Sequence, residues 1–150
     1  MLISISMQME IRKEYAINAS ADRVLNFLTD LKQVTSCIPN IENVEIETPA
    51  RFKGKITPPP FSFVKGRITI ESELAQSGKD GFTATVKGSS IGASFHATLH
   101  ITVAEGTVVR IDAKVETFGL LRTIPKSIIY KAVEDIETPM LQCIREKVEK

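Results

Sequence analysis

Cysteine and histidine are the residue types best suited to nucleophilic, redox or metal chemistry, and the chain holds two of each: Cys37, Cys143, His96 and His100. Cys37 stands in TSCIPNIENVEI, between a short helical pattern and a strand pattern. A reactive thiol needs its pKa lowered by a helix N-terminus or a neighbouring cation. Cys37 instead follows a helix C-terminus, with no histidine near it in sequence, so it reads as a small packing residue. A bridge to Cys143 is not expected. With Cys37 at the end from which the last helix starts, Cys143 lies about 27 Å away along that helix. Bridged cysteines need Cα atoms within about 7 Å.

His96 and His100 are four apart in a strand pattern, hence some 13 Å apart on one face. That is too far for one metal ion with ligand distances of about 2 Å. Both share the polar parity of Thr98 and Thr102. No CxxC pair, helical HxxxH, Gly-rich phosphate loop or nucleophile elbow is present. Gly92 in SSIGAS is too isolated for phosphate binding. No metal and no cofactor is therefore expected.

Among the carboxylates, Glu134, Asp135 and Glu137 crowd the last helical pattern. Their neighbours Ala132, Val133 and Ile136 take its apolar stripe, so the acids are expected on a solvated face. General acid–base work needs a carboxylate inside the apolar interior. Only Lys13, Tyr15 and Tyr130 remain as candidates for an interior polar cluster, and a bulge or snorkelling explains Lys13 on an apolar parity.

The elements that position these residues follow from periodicity. Residues 9–17 alternate as a strand, with Lys13 dissenting. Ser20 followed by Asp22 opens a helix, because both answer its free N–H groups and positive end. Val24, Phe27, Leu28 and Leu31 give its buried stripe. A second short helix, about 31–36, must end before Pro39. About six strand patterns then follow, one apolar and one polar face each; the fourth runs through Val64, Gly66, Ile68, Ile70 and Leu74. SGKDG and AEGT read as hairpin turns, and TPPPFS lies between strands because proline cannot donate to a ladder. A helical pattern from 125 to 149, roughly 37 Å long at 1.5 Å per residue, closes the chain, with Pro139 expected to bend it. One-sided strands need a cover, and the long helix is the natural one. The expected fold is α+β: an antiparallel sheet curled around a helix, as a single domain over residues 1–150.

Composition narrows the function classes. A length of 150 residues allows a real core, and 43% hydrophobic with 25% charged residues is ordinary for a globular protein. A net charge of +1 gives no case for nucleic acid. No apolar run spans a membrane, and MLISISM lacks the basic region and cleavage site of a signal peptide. The expectation is a cytoplasmic protein in a reducing compartment, whose two cysteines make no disulfide framework.

Several residues together resemble a known family. The pattern of Tyr15 and Ile17, Val24-x-x-Phe27-Leu28-x-Asp30, Cys37-Ile38-Pro39-Asn40, Gly66 in the fourth strand, and Phe118-Gly119 before the last helix is similar to the family of the carbon monoxide dehydrogenase G subunit. The resemblance covers nearly the whole chain and implies the helix-grip fold of the START/Bet v 1-like (SRPBCC) superfamily, a curved seven-stranded sheet around a long C-terminal helix with two short helices after the first strand. The family usually has glycine where Asn40 stands; asparagine also tolerates a left-handed backbone, so the turn can survive. Leu25 replaces a common tryptophan, and 57–61 replaces a short Gly-Pro turn.

Two readings of the interior stay open: a dense core, or a hollow between sheet and helix. The absence of tryptophan, 6% aromatic content and many small inward residues favour the hollow. Its lining would be Phe52, Phe63, Ile68, Phe82, Val86, Phe95, Leu99, Ile111 and Phe118 from the sheet, with Ile124, Ile128, Ala132 and Ile136 from the helix side. The resemblance implies a mouth built from CIPN, TPPPFS, SSIGAS and FGLLRTIP, hence Cys37, Ile38, Pro39, Pro59, Phe61, Ile91 and Leu121. A basic lip of Lys53, Lys55, Lys65, Arg67, Lys87, Arg122 and Lys126 would border it, each cation worth about 1 kcal/mol against an anionic membrane.

Three functions fit. The first is non-catalytic binding of an elongated hydrophobic small molecule, a lipid or isoprenoid quinone. The resemblance implies its setting: an accessory to a molybdenum-containing, carbon monoxide dehydrogenase-like hydroxylase, with peripheral contact at the inner face of the membrane. The second is a cyclase-like or hydrolase-like enzyme using the same cavity. The third is an assembly chaperone with a filled core and an apolar patch at Leu120, Leu121 and Ile124.

Overall fold

The computed structural model describes residues 7–57, 66–104 and 108–150. The expected hollow residue Phe63, the mouth residues Pro59 and Phe61, Lys65 of the lip, and residues 105–107 of the AEGT turn lie outside the described residues.

Strand β1 (Met7–Ala16) leads into helices α1 (Ala21–Thr29) and α2 (Leu31–Thr35). Strands β2 (Ile41–Thr48), β3 (Arg51–Ile56), β4 (Ile68–Gln76), β5 (Gly81–Ser90), β6 (Ala93–Ala104) and β7 (Val108–Gly119) follow. A 3-10 turn (Leu120–Thr123) then delivers the chain to helix α3 (Lys126–Val148). All seven strands form one antiparallel sheet in the order β1-β7-β6-β5-β4-β3-β2.

Local chemistry explains the boundaries. Ser20 caps α1, its hydroxyl accepting from the Arg23 N–H at 3.2 Å. Asp30 ends α1 and caps α2, accepting from the Lys32 N–H at 3.1 Å and the Gln33 side-chain amide at 2.9 Å. Those bonds stabilise the carboxylate, Gln33 foremost, and hold Asp30 below its ordinary pKa. Asn40 adopts φ 59°, so asparagine does supply the left-handed turn that starts β2. Gly66 is a correction: it stands outside β4 with φ 80°, and the strand begins only at Ile68. A left-handed residue cannot continue the pleat. Helix α3 runs on through Pro139.

Register fixes the faces. Met9, Val115, Ala97, Val86, Ser72 and Phe52 share one row across the sheet. Ile11, Ala113, Leu99, Ala84 and Leu74 form the next. These rows face the helices. Alternate positions put Lys53, Glu71, Lys87, His96 and Glu116 on the opposite, convex face.

The core occupies one end of this assembly. Ile17, Val24 and Phe27 pack with Phe82, Ala84, Ile101, Val103 and Val109 of the sheet and Ile144 and Val148 of α3. Val24 is fully buried. Cys37 belongs to the same cluster and forms a disulfide with Cys143, with Cα atoms 5.4 Å apart. This overturns both the free-thiol expectation and the place given to Cys37 at the mouth. The distance argument assumed that Cys37 sits where α3 begins. Cys143 is in fact near the far end of α3, roughly 26 Å from its first turn, and α2 delivers Cys37 to that end.

Candidate functional site

Helix α3 changes character along its length. Its buried residues are Ile144 and Val148, both in the last two turns. Ile128, Ile129, Ala132, Val133 and Ile136 form an apolar stripe, yet each is only half-buried. The sheet opposite is built of small residues: Gly54, Gly88, Ser72, Ala97 and Ala113 occupy inward rows. At Gly88 a Cβ would stand 2.1 Å from the Phe95 ring, so that ring lies flat across its partner strand instead of rising toward the helix. Small residues in the sheet and a half-buried apolar stripe on α3 leave this half of the molecule less closely packed than the core end.

The residues expected to line one long hollow therefore divide. Phe82 is part of the packed core, with Leu99 and Ile111 against it. Phe52 and Ile124 are buried. Ile68, Val86, Phe95, Ile128, Ala132 and Ile136 are half-buried and belong to the less closely packed half. Phe118 is a correction. It shares its row with Ser94, Ser89, Thr69 and Lys55, the convex face, because its parity is opposite to that of Val115 and Thr117.

Two mouth connections lie at the open end of the sheet: the β5–β6 hairpin and the turn after β7. Ile91 is 96% exposed at the hairpin tip and Leu120 is 58% exposed beside it. The Leu120 N–H donates to the Gly92 carbonyl at 2.8 Å, holding the two connections together. Leu121 is half-buried and Ile124 buried, so the apolar patch expected at 120–124 shrinks to Leu120 with Ile91. Ile38 and Pro39, half-buried, follow Cys37 at the α2–β2 corner.

The basic lip is largely counter-charged. Lys53 lies 3.8 Å from Glu47 and 3.7 Å from Glu71, and Arg67 lies 3.2 Å from Glu42. Lys87 faces Glu71 across β4 and β5, and Lys55 faces Glu42 across β2 and β3. Antiparallel pairing sets an acid opposite Lys53, Lys55 and Lys87, and Arg67 meets Glu42 from just before β4, which parity within single strands does not reveal. Arg122 and Lys126 remain as exposed cations at the open end.

A polar seam joins α3 to β1. Tyr130 donates to the Glu10 carbonyl at 3.2 Å, Lys13 lies 3.9 Å from Glu134, and Tyr15 donates to the Glu137 carboxylate. Arg145 donates to the Ala16 carbonyl at 2.8 Å. Burial, then the bond to Glu137, then the charges of Glu137 and Glu134, push the Tyr15 phenol well above its ordinary pKa. A groove of about 840 Å³ follows this seam, lined by residues including Lys13, Tyr15, Glu137 and Arg145. Glu137 is thus half-buried and partnered, not on a solvated face. Tyr130, Glu134, Glu137, Leu141 and Arg145 recur at helical spacing, a stripe visible in the sequence but overshadowed by the apolar one. Among the described residues no three His, Cys, Asp or Glu side chains could hold one metal ion. No helix among them is long and apolar enough to cross a membrane.

The curved sheet, the two short helices and the gripping helix give the chain the helix-grip fold of START/Bet v 1-like proteins. Solved structures agree in fold: a conserved protein from Geobacillus kaustophilus has 13% identity and TM-score 0.70 over 97% of this chain and 95% of its own. A START superfamily protein from Mycobacterium smegmatis has 11% identity and TM-score 0.65 over 93% and 97%. A Thalictrum norcoclaurine synthase point mutant, solved with a transition-state analogue, has 13% identity and TM-score 0.56 over 98% and 99%. No curated protein matches the chain. The model of the CoxG family, the G subunit of carbon monoxide dehydrogenase, matches residues 14–149, and the chain belongs to that family.

Proposed function

We propose that the chain binds an elongated apolar ligand, a lipid or isoprenoid quinone, in the less closely packed half between sheet and helix, and performs no covalent chemistry on it. The observation that carries this is the lack of any buried side chain in α3 before Ile144, although an apolar stripe of half-buried residues runs along those turns. Such a surface gains about 0.8 kcal/mol for each ligand methylene it removes from water. Family membership supports the setting, an accessory to a carbon monoxide dehydrogenase-like molybdenum hydroxylase. Ile91 and Leu120, with Arg122 and Lys126 at the same end, suit contact with an anionic membrane at its inner face. The chain acts as one domain in this reading.

The test is native mass spectrometry of the purified chain, before and after organic extraction, with added quinone and phospholipid. A co-purifying or rebinding apolar species is the expected result. Its absence with both ligands refutes the proposal.

The enzyme reading draws on the seam, where two of its candidates, Lys13 and Tyr15, meet Glu134 and Glu137. These groups already satisfy one another, and Tyr130 is spent on a backbone carbonyl. An active cavity would need them turned toward a substrate.

A further inference from the structure

The disulfide joins the buried end of the α2 corner to the last turns of α3. Cys37 ends the α2 corner from which β2 departs, and β2 is exposed along almost its whole length. That strand is a sheet edge, paired only with β3 and broken by irregularities after Glu42 and Ile46. Across the same corner, Lys147 donates to the Ser36 hydroxyl at 2.6 Å, an exposed contact. On the opposite flank, α3 is tied to β1 by the side-chain contacts of the seam. The bond between Cys37 and Cys143 is thus the covalent tie between the β2 flank and the helix that grips the interior.

We propose that this bond is a reducible latch: a dithiol reductant opens it, frees the β2 flank from α3, and speeds exchange of the bound apolar ligand. The ligand part rests on the function proposed above; the latch itself does not. Cys143 is the more open of the two, Cys37 being buried. The reductant's thiolate attacks the Cys143 sulfur, and Cys37 leaves as a thiolate and takes a proton. The reductant's second thiol then displaces Cys143 and closes its own disulfide. Two electrons and two protons pass to the chain, and a disulfide oxidant such as oxidised glutathione returns it to the bridged state. The sulfurs lie beside Ile144 and Val148, so the core at this end keeps α3 anchored while the flank moves.

The experiment uses the intact chain. After incubation with oxidised glutathione and unfolding in iodoacetamide, the bridged form takes up no alkyl group; the reduced form takes up two. Free alkylation of both cysteines after oxidation overturns the proposal. Hydrogen exchange is then compared between the two forms. Amides 37–48 are expected to exchange at least about tenfold faster when reduced, and to lose more protection than those of α1. Equal exchange at 37–48 overturns the latch, as does equal loss across α1. Cys143→Ser should exchange like the reduced form and ignore reductant; if it does not fold, reduction of the native chain carries the comparison. Release of a fluorescent fatty acid should quicken on reduction. If the probe binds neither form, the binding function fails while exchange still judges the latch.

Discussion

Replacing Ala132 by leucine separates an open interior from a filled one. Ala132 lies on the apolar stripe of α3 and is half-buried. Leucine adds three carbons and differs from alanine by only a few tenths of a kcal/mol in helix propensity. In an open interior the added group meets no wall, and stability changes by less than about 0.5 kcal/mol, since no packing is disturbed. It does occupy room that a ligand would fill. Displacing three ligand methylenes costs about 2.4 kcal/mol, close to a sixtyfold loss of affinity. Ala84→Leu is the matched control, because Ala84 is packed in the core with Phe82 and Ile101. There the same enlargement should cost about 1–3 kcal/mol through forced repacking. Denaturant unfolding measures both variants, and displacement of a fluorescent fatty acid measures the affinity of Ala132→Leu. Equal destabilisation of the two variants, with unchanged binding by Ala132→Leu, would refute the reasoning.

Three further outcomes follow. Breaking the disulfide, which spans 106 residues, should destabilise the chain by up to about 4.8 kcal/mol on chain-entropy grounds; unfolding of the oxidised protein with and without reductant measures this, and unchanged stability contradicts it. Tyr15 holds its proton more tightly folded than unfolded, so its contribution is intact below the ordinary tyrosine value near 10 and is lost as pH rises beyond it. Thermal unfolding between pH 9 and 11 should fall less steeply in Tyr15→Phe than in the native chain, and equal slopes would exclude the Tyr15 linkage. Asn40, at φ 59°, should accept glycine with little change, whereas alanine costs about 1 kcal/mol for the left-handed backbone; equal stability of the two variants would show that the turn relaxes.

The sequence alone determined the order and type of the elements, because period-2 and period-3.6 patterns are local. Ser20 as a cap, Asn40 at the left-handed turn and the apolar stripe of α3 were all legible from neighbours a few residues away. The convex charge pattern was not, because Glu42 meets Lys55 and Arg67, and Glu47 and Glu71 meet Lys53, only once strands distant in sequence lie side by side. Nor was the seam, in which Glu137 reaches Tyr15 across 122 residues. The disulfide is the sharpest case: its cysteines are 106 residues apart, and their meeting depends on which end of α3 the α2 corner reaches. The same holds for the interior. Parity names the residues that face inward, but only the packing of α3 and the short helices decides which of them are buried and which stay half-buried.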